Sequence, residues 1–229
     1  MNCDFIILSG GQGTRLKSVV GDQQKVFAKI NNEPFLNILL KHIHSQGGRR
    51  IILSTGFKAQ DLEDYYKKES LGLEILFSRE DSPLGTGGAI KKACALVKTD
   101  DFFALNGDSF CALDYLAFLK FHQRHDALSS IAVTQVANNS DFGTISLDNQ
   151  GQIISFQEKI SSRSPKFVNA GIYCFAKEIT KYMPAQDVFS IERDFFPTLV
   201  GKTFFGYPIK EKFLDIGTPE RFEQAKKDL

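Results

Sequence analysis

Long apolar runs and a charge excess of either sign are both missing from this sequence. No apolar run approaches the length of a membrane span, and Asp4 interrupts the apolar N-terminus, so we expect neither a transmembrane segment nor a signal peptide. The 28 Lys and Arg residues against 27 Asp and Glu leave a formal net charge of +1, which gives no general attraction to nucleic acid or to anionic membranes. We therefore expect neither as a partner, and an anion site must come from local placement of charge.

Paired cysteines and tryptophan are missing as well. The cysteines lie apart, each among apolar neighbours and with no CxxC pair, at Cys3, Cys94, Cys111 and Cys174. This pattern predicts free, buried and reduced thiols in a cytoplasmic protein, rather than disulfides or a metal site. The composition has 21 Phe, no Trp and 42% hydrophobic residues, which predicts a packed core. A chain of 229 residues without repeats or linkers fits one domain, 1–229.

Two common phosphate-binding motifs are absent too. The dinucleotide fingerprint needs a third glycine where this chain has Leu16, and the Gly-Lys-Ser/Thr triplet of a P-loop does not occur. What is present is an apolar run at 5–8 followed by Ser-Gly-Gly-Gln-Gly-Thr-Arg at 9–15. Glycines let backbone N–H groups approach a ligand, and arginine is a planar cation suited to phosphate. The pattern indicates a phosphate site of another kind, and a glycine-rich turn with a solvated arginine is the alternative.

The first 136 residues alternate between strand-like and helix-like segments. Apolar runs predict strands at 5–8, 49–55, 74–77, 102–105 and 130–136. Apolar residues at helical spacing predict helices opened by Pro34, at 59–68, at 89–97, and through Leu116 and Phe121. This alternation predicts a Rossmann-like α/β fold, with a mixed, mainly parallel sheet flanked by helices. Such sheets bind ligands beyond the carboxyl ends of their strands.

From Asp141 onward the pattern becomes antiparallel. It predicts a hairpin at 143–147 and 153–158 and a further strand at 167–175. Near the C-terminus a short strand delivers Asp215, and then Thr218 caps and Pro219 opens a closing helix. We therefore expect two halves within one domain, about 1–136 and about 137–229, with the second covering one end of the ligand-binding edge.

Several predicted strands end in residues suited to phosphate or metal. The first ends at the glycine loop, the third at a second glycine-rich loop, 79–88, and the fourth at Asn106-Gly107-Asp108. Two glycine-rich loops at one edge favour a ligand site over simple turns. A strand-end aspartate is well placed to hold a metal ion, although an isolated Asn-Gly-Asp is more often a turn or a helix cap.

These stretches together resemble the sugar-1-phosphate nucleotidyltransferases over nearly the whole chain. The first-loop signature of that family, Gly-Gly-x-Gly-Thr-Arg-Leu with a lysine about ten residues on, is present at 10–16 with Lys25, and its Leu-Gly-Thr-Gly-Gly-Ala is present at 84–89. The family's metal and sugar positions are matched by Asp108, Asp215, Gly143, Glu158, Lys159, Asn169, Ala170 and Gly171. The resemblance implies the nucleotide-diphospho-sugar transferase fold, with the nucleotide in the first half and a small antiparallel sugar-binding subregion in the second.

Within that family the chain looks most similar to the D-glycero-D-manno-heptose 1-phosphate guanylyltransferases. The similarity lies in the short length, the run at 83–90 and the ending Asp215-Ile216-Gly217. After Lys25, however, Val-Phe-Ala-Lys replaces the usual Pro-Met-Ala-Pro, which predicts a looser segment presenting that lysine. The chain also lacks the C-terminal left-handed β-helix of some relatives, so we expect no second, acyltransferase activity.

The resemblance implies nucleotidyl transfer from a nucleoside triphosphate to a sugar 1-phosphate, with Mg²⁺ as cofactor and pyrophosphate as second product. The implied catalytic residues are Arg15, Lys25 and Asp108, and the implied metal ligands are Asp108 and Asp215. The implied nucleotide-binding residues are Leu8, Gly10, Gly11, Gly13, Thr14, Glu80, Gly85, Thr86 and Gly107. The implied sugar-phosphate-binding residues are Gly143, Glu158, Lys159, Asn169 and Gly171. We expect both catalytic cations to be exposed in the empty site.

Glu80 lies where guanylyl-transferring members of the family carry a glutamate. Its carboxylate can accept from guanine N1–H and the 2-amino group together, which predicts GTP; a surface glutamate on a mobile loop is the alternative. A uridylyl- or cytidylyltransferase acting on another sugar 1-phosphate and a non-catalytic nucleotide-sugar-binding protein also remain open. The sequence does not decide whether the chain forms oligomers. His122 and His125 share a helix face, and we interpret them as solvated rather than as zinc ligands, because no further ligand is evident.

Overall fold

The computed structural model describes residues 1–11, 13–16, 19, 21, 23–135, 144–157 and 167–229. The strands in this part of the chain are β1 (Asp4–Leu8), β2 (Lys29–Ile30), β3 (Glu33–Pro34), β4 (Arg50–Thr55), β5 (Glu74–Arg79), β6 (Asp101–Asn106), β7 (Ser109–Cys111), β8 (Ser129–Gln135), β9 (Thr144–Leu147), β10 (Ile153–Gln157), β11 (Phe167–Ala176), β12 (Phe204–Pro208) and β13 (Phe213–Asp215). The α-helices are α1 (Phe35–Ser45), α2 (Ala59–Lys68), α3 (Gly85–Ala93), α4 (Tyr115–Arg124), α5 (Phe196–Leu199) and α6 (Pro219–Asp228). A π-helical turn, Ile191–Phe195, precedes α5, and short 3-10 turns lie at Thr14–Leu16, Lys25–Phe27, Cys94–Leu96 and Lys177–Lys181.

One mixed sheet has the strand order β10-β9-β11-β6-β1-β4-β5, and β8 and β12 continue from β11. The strands β6, β1, β4 and β5 run parallel, as the alternation predicts, and β11 joins β6 antiparallel. The predicted mixed α/β sheet with flanking helices is confirmed. Because four neighbouring strands are parallel, their carboxyl ends meet at one edge, where such sheets bind ligands.

Alternating side chains of the central strands fill two separate cores. In β1, Phe5 packs in one core with Leu40 of α1, whereas Ile6 packs in the other with Ile90 of α3. All four side chains have 0% exposure. Helices therefore cover both faces of the sheet, and polar chemistry collects at the strand ends.

A smaller third core lies beneath the first glycine loop. It buries Leu16, at the end of that loop, together with Ile216 and Phe222 of the C-terminal segment. The helix α6 begins as predicted, because the side chain of Thr218 accepts a hydrogen bond from a backbone N–H of the first turn and Pro219 follows it. The C-terminal helix thus supports the loop from below.

The second half adds the antiparallel strands that the sequence predicts. The strands β9 and β10 form the hairpin, with Gln157 paired to Thr144 at its open end. The long strand β11 pairs with β6, β8 and β9, so the same sheet continues from the first half into the second. The short strand β13 pairs with β7 in a separate two-stranded sheet.

Some boundaries differ from the sequence prediction. The helix α3 begins at Gly85 rather than at residue 89, so the second glycine run lies in the first turn of a helix instead of a loop. Pro34 belongs to β3 and precedes α1 instead of opening it. The strands β2, β3 and β7 were not predicted, because segments of two or three residues show no clear periodicity, and β12 was missed as well.

The cysteines are free thiols and are buried, as predicted. Burial raises the pKa of Cys3, Cys94 and Cys111 to about 12, so the reactive thiolate is hardly populated near neutral pH. Among the described residues, no helix is long and apolar enough to cross a membrane.

Candidate active site

A cavity of about 610 Å³ lies at the carboxyl ends of β1, β4, β5 and β6. The predicted residues that it brings together are Leu8, Gly10, Gly11, Gly13, Arg15, Lys25, Glu80, Gly85, Thr86 and Asp108. The strand order places the segments after β4 and β5 at one end of the cavity, the glycine loop after β1 in the middle, and the turn after β6 at the other end. The side chain of Thr14 lies outside the described part of the chain.

The glycine loop combines a backbone requirement with a close contact. Gly13 has a φ of +59°, and a Cβ at this position would lie 2.9 Å from the Cβ of Lys25. Glycine at 13 therefore permits both the left-handed conformation and the approach of the lysine. The N–H of Leu16 donates to the carbonyl of Gly13 at 2.9 Å, which closes the turn and leaves Arg15 exposed. The loop is built to present N–H groups and one cation to an anion.

The turn that carries Lys25 is held without the prolines of the family pattern. The N–H of Phe27 donates to the carbonyl of Gln24, and the N–H of Ala28 donates to the carbonyl of Lys25, both at 3.0 Å. Val26 is buried, and the ring of Phe27 packs edge-on against that of Tyr65, with 5.2 Å between centroids. Hydrogen bonds and aromatic packing thus hold this turn where the family has prolines, and the looser presentation of Lys25 stays a prediction.

Lys25 itself is buried rather than exposed, so the sequence prediction was wrong on this point. Its side chain is 11% exposed, and its ammonium forms an ion pair with Asp108. The prediction failed because a glycine loop and a strand end, distant in sequence, close over the lysine. Arg15 is exposed, as predicted.

Asp108 and Asp215 are brought together by the pairing of β7 with β13. Asp215 is in register with Ser109, and the N–H of Ile216 donates to the carbonyl of Asp108 at 3.0 Å. Burial raises the pKa of the Asp215 carboxyl, and the negative charge of Asp108 raises it further. The two carboxylates are thus close enough to repel each other.

This acidic pair fits a divalent cation. Lys25 and Arg221 are the neighbouring cations, and Nη1 of Arg221 lies 3.7 Å from Oδ1 of Asp215, yet the pKa of Asp215 stays raised. Across the described ranges there is no group of three or more His, Cys, Asp and Glu side chains that could hold a metal. A metal here would therefore need substrate oxygens as well, which is how Mg²⁺ is commonly held in proteins, by one or two carboxylates plus phosphates.

Glu80, at the other end of the cavity, is fixed in place. Its Oε1 accepts from the hydroxyl of Ser54 at 3.1 Å, and its Oε2 accepts from the N–H of Leu84 at 3.0 Å. A Cβ on Gly10 would lie 3.0 Å from Glu80 Oε1, so the glycine loop leaves room for this carboxylate. These contacts favour a held carboxylate over the alternative of a surface glutamate on a mobile loop, and the role of Glu80 in base binding stays a prediction.

The second glycine run serves packing as well as the cavity. Thr86 lines the cavity, whereas Gly87 and Gly88 are buried under a later segment of the chain. A Cβ on Gly88 would lie 2.0 Å from the carbonyl oxygen of Asp187, and the N–H of Gly87 donates to the carbonyl of Phe189 at 3.0 Å. A glycine at 88 is needed because a distant backbone approaches the helix, a reason that the sequence cannot reveal.

The predicted sugar-phosphate site is described only in part. Gly143, Glu158 and Lys159 lie outside the described residues, whereas Asn169 and Gly171 lie in β11. The side chain of Asn169 accepts at Oδ1 from the N–H of Gly171 at 2.8 Å, and its Nδ2 donates to the hydroxyl of Tyr173 at 2.9 Å. The assignment of these residues to the sugar phosphate stays a prediction.

The turn after β6 connects the two sides of the site. Asn106 lines the cavity, and its Nδ2 would lie 2.4 Å from a Cβ on Gly171. The N–H of Gly107 donates to the carbonyl of Leu8 at 2.9 Å, which ties the ends of β6 and β1 together. Asn106 is among the residues that line the cavity and Gly107 is not, and the assignment of Gly107 to the nucleotide stays a prediction.

Sequence reasoning also missed Phe57 and Gln24. Phe57, after β4, lines the cavity and is 39% exposed. Its N–H donates to the carbonyl of Gly10 at 3.2 Å, and its own carbonyl accepts from the side chain of Gln24, which is buried next to Lys25. Phe57 is therefore fixed between the glycine loop and the lysine turn. A single aromatic after a strand gives no sequence signal for this role.

The histidine prediction needs a correction. His122 is buried, with 1% exposure, and its Nδ1 lies 2.9 Å from the hydroxyl of Ser130. Burial lowers the pKa of His122 to about 4, although the negative charges of Asp101 and Asp126 act to raise this pKa. His125 is half-buried, and its Nδ1 is bonded to a backbone carbonyl of its own helix. Neither residue lies at the cavity.

Comparison with curated proteins identifies relatives that span the whole chain. The chain is 37% identical over 220 residues to the D-glycero-alpha-D-manno-heptose 1-phosphate guanylyltransferase of Campylobacter jejuni, covering 95% of this chain and 96% of the relative. It is 35% identical over 227 residues to the enzyme of the same name from Aneurinibacillus thermoaerophilus, covering 99% and 98%. A mannose-1-phosphate guanylyltransferase of Mycobacterium tuberculosis is 31% identical over 99% of this chain and 64% of the relative.

Comparison with solved structures also identifies relatives that span the whole chain. HddC from Yersinia pseudotuberculosis matches with a TM-score of 0.88 and 36% identity over 99% of both chains, and the same protein complexed with GMP-PN matches with a TM-score of 0.87 and 37% identity. A putative glucose-1-phosphate thymidylyltransferase from Bacillus anthracis, 18% identical with a TM-score of 0.87, shares the fold. The nucleotidyl transferase profile matches residues 5–229. The resemblance inferred from the motifs is confirmed, and this chain belongs to the nucleotidyl transferase family.

Proposed function

We propose that this chain transfers a guanylyl group from GTP to D-glycero-α-D-manno-heptose 1-phosphate, giving the GDP-sugar and pyrophosphate. The observation that carries the choice of base is Glu80, a carboxylate held by two hydrogen bonds at one end of the cavity. The choice of sugar is supported by the two full-length relatives named for this heptose phosphate.

The reaction needs charge control more than a side-chain nucleophile. An oxygen of the sugar 1-phosphate attacks the α-phosphorus of GTP, and the bond from that phosphorus to the bridging oxygen of the β-phosphate breaks. Both reactants are anions, so catalysis rests on positioning and on electrostatic stabilisation of the transferred group and the leaving pyrophosphate.

The chain supplies these elements along the middle of the cavity. Backbone N–H groups of Gly10, Gly11 and Gly13 hold the triphosphate, and the exposed Arg15 neutralises it. Lys25, buried between the glycine loop and Asp108, faces the α-phosphate and stabilises the charge that grows there in the transition state.

Asp108 and Asp215 are the residues that would hold Mg²⁺. When bound, the ion supplies positive charge that neutralises and orients the phosphates. In the chain itself Lys25 meets Asp108 and Arg221 lies beside Asp215, which keeps the two carboxylates in place.

Guanine is selected at the end of the cavity where Glu80 and Phe57 lie. The carboxylate accepts from N1–H and from the 2-amino group, and the ring of Phe57 offers an apolar surface to the planar base. Neither uracil nor cytosine presents such a pair of donors on adjacent atoms. A competing base would leave the anchored carboxylate desolvated and unpaired.

A pyrophosphate-release assay tests the proposal. Purified protein is incubated with Mg²⁺ and each of GTP, ATP, UTP and CTP, crossed with heptose, mannose and glucose 1-phosphates. We expect turnover to be fastest with GTP and the heptose phosphate. Equal or faster turnover with UTP or CTP would reject the guanylyl assignment. Binding of a GDP-sugar without pyrophosphate release from any pair would indicate a non-catalytic binding protein instead.

A further inference from the structure

Glu192 lies outside every motif of the sequence, in the π-helical turn before α5. Its Oε2 accepts from the hydroxyls of Thr86 at 2.7 Å and Ser190 at 2.9 Å, and its Oε1 accepts from the hydroxyl of Tyr173 at 3.3 Å. One carboxylate thus connects the helix that lines the nucleotide cavity to the strand that carries Asn169.

The direction of this hydrogen-bond network is fixed. Each of the three hydroxyls also accepts a hydrogen bond from an N–H group. The donors are Ile191 N–H to Thr86 at 2.9 Å, Arg193 N–H to Ser190 at 3.2 Å, and Asn169 Nδ2 to Tyr173 at 2.9 Å. A hydroxyl has one proton, and a carboxylate can only accept, so all three protons point toward Glu192.

The fixed direction reaches the sugar side through Tyr173. Because its proton points to Glu192, the tyrosine oxygen must accept from Asn169, so the NH₂ end of that amide faces Tyr173 and its oxygen faces the N–H of Gly171, at 2.8 Å. Tyr173 is fully buried, and burial raises its pKa well above the ordinary value, so it remains a proton donor. Among the described residues, only one N–H of the Asn169 amide has an acceptor, the hydroxyl of Tyr173, so the second N–H is available to a ligand.

We propose that Glu192 is a positioning residue for the sugar phosphate, which acts by fixing the proton of Tyr173 and thereby the orientation of the Asn169 amide. The inference rests on the proposed function. It adds to that function a residue, Glu192, that contacts neither GTP nor the sugar 1-phosphate. The contact with Thr86 holds the same carboxylate to the first turn of α3, so the sugar side is oriented relative to the nucleotide cavity.

Glu192→Gln tests the direction of the hydrogen-bond network, because it keeps the size of the side chain and replaces one acceptor oxygen by an NH₂ donor. The new amide oxygen keeps two donors by facing Thr86 and Ser190, which turns its NH₂ toward Tyr173 and reverses that hydroxyl. The Asn169 amide then loses its acceptor. We expect the KM for the sugar 1-phosphate to rise about tenfold to a hundredfold, as for loss of one oriented hydrogen bond in a polar site, with the KM for GTP unchanged within about twofold.

Tyr173→Phe is the second variant, because it removes the hydroxyl that joins Glu192 to Asn169 without changing the charge. It should raise the KM for the sugar phosphate by a similar factor, and the double variant should add little to either single one. The matched control is Glu178→Gln, which alters an exposed glutamate paired with Lys181 and should leave both KM values at the wild-type level.

Calorimetric titration with the sugar 1-phosphate alone separates the two proposals. If the wild-type protein released no pyrophosphate, the proposed function would be rejected. The affinities of wild type and Glu192→Gln for the sugar 1-phosphate would still decide the role of Glu192. An unchanged affinity and KM for the sugar phosphate in both network variants would overturn the inference. So would an equal rise in the KM for GTP, or a loss of folding in both variants, since either result would mean a general structural role.

Discussion

Asp108, Asp215 and Lys25 form a cluster in which one ammonium lies near two carboxylates. The raised pKa of Asp215, caused first by burial and then by the charge of Asp108, means that its ionised form is destabilised in the folded chain. We expect Asp108→Asn and Asp215→Asn each to remove most turnover in a Mg²⁺-dependent assay. The two effects should be non-additive, because both residues serve one centre.

The same pKa shift gives these variants a stability signature. Because a buried carboxylate is replaced by a neutral amide of the same shape, Asp215→Asn should keep or raise the Tm in thermal unfolding while activity falls. Turnover at the wild-type rate in either variant would remove that residue from the mechanism. A large fall in Tm would instead favour a structural role.

The two catalytic cations differ in burial, so their removal should have different effects on stability. We expect Arg15→Ala and Lys25→Ala each to lower kcat on the order of a hundredfold, since each faces charge that grows in the transition state. Arg15 is exposed, and its variant should keep the wild-type Tm. Lys25 is 11% exposed and paired with Asp108, so its variant should change the Tm measurably. Equal kcat for wild type and either variant would contradict the proposed roles.

The choice of base is tested at Glu80. Glu80→Gln keeps the size of the side chain but turns one acceptor into a donor, which opposes the guanine N1–H and 2-amino donors. We expect kcat/KM for GTP to fall roughly tenfold to a hundredfold and the preference over UTP and CTP to narrow. The measurement is steady-state kinetics with each triphosphate, with Glu178→Gln, an exposed glutamate away from the cavity, as control. An unchanged preference in Glu80→Gln would mean that another group selects the base.

At the scale of elements, the helix α3 shows how one glycine-rich stretch can have two roles. We expect Gly88→Ala to destabilise the protein by about 2 kcal/mol or more, because the added Cβ would lie 2.0 Å from the carbonyl oxygen of Asp187 and the backbone must move. Gly11→Ala is the matched control, since a Cβ there meets no heavy atom within 4 Å. Urea unfolding of both variants provides the test, and equal stabilities would show that the segment near Asp187 moves away readily.

The sequence predicted the elements whose pattern is local and missed the contacts that join distant segments. Periodicity and capping residues located β1, α2 and α6 within a residue or two, because apolar spacing and the Thr218–Pro219 start are properties of neighbouring residues. The contact of Gly88 with Asp187 has no such signal, since the two residues lie on separate elements. The same reason explains why the burial of Lys25 was predicted wrongly.

Across the whole molecule, the candidate site was predictable where a motif marked it. The glycine loop, Lys25, Glu80 and Asp108 all line the cavity, as the resemblance implied. Phe57 and Glu192 were missed because an ordinary aromatic and an ordinary glutamate acquire their positions only when the sheet brings the strand ends and the π-helical turn together. Tertiary contacts therefore complete a site whose reactive residues are visible in sequence.

The fold as a whole should also respond to pH through His122, which links three elements. It lies on α4, its Nδ1 is 2.9 Å from the hydroxyl of Ser130 on β8, and its Nε2 is 3.7 Å from Asp101 on β6. Burial lowers its pKa in the folded state from 6.5 to about 4, so between these values the unfolded chain binds the proton more tightly. The stability due to neutral His122 is complete above pH 6.5 and is lost as the pH falls toward 4.

We expect this loss to reach about 3 kcal/mol, from about 1.4 kcal/mol for each unit of the pKa difference. The measurement is urea unfolding of wild type and His122→Asn between pH 4 and pH 7.5. Other carboxylates titrate in both proteins, so the difference between the two curves isolates the histidine. That difference should shrink as the pH falls, because only the wild type has a buried imidazole whose protonation adds a further loss of stability. Two curves that stay parallel over the whole range would mean that His122 is charged in the folded protein or that the fold accommodates its proton without loss.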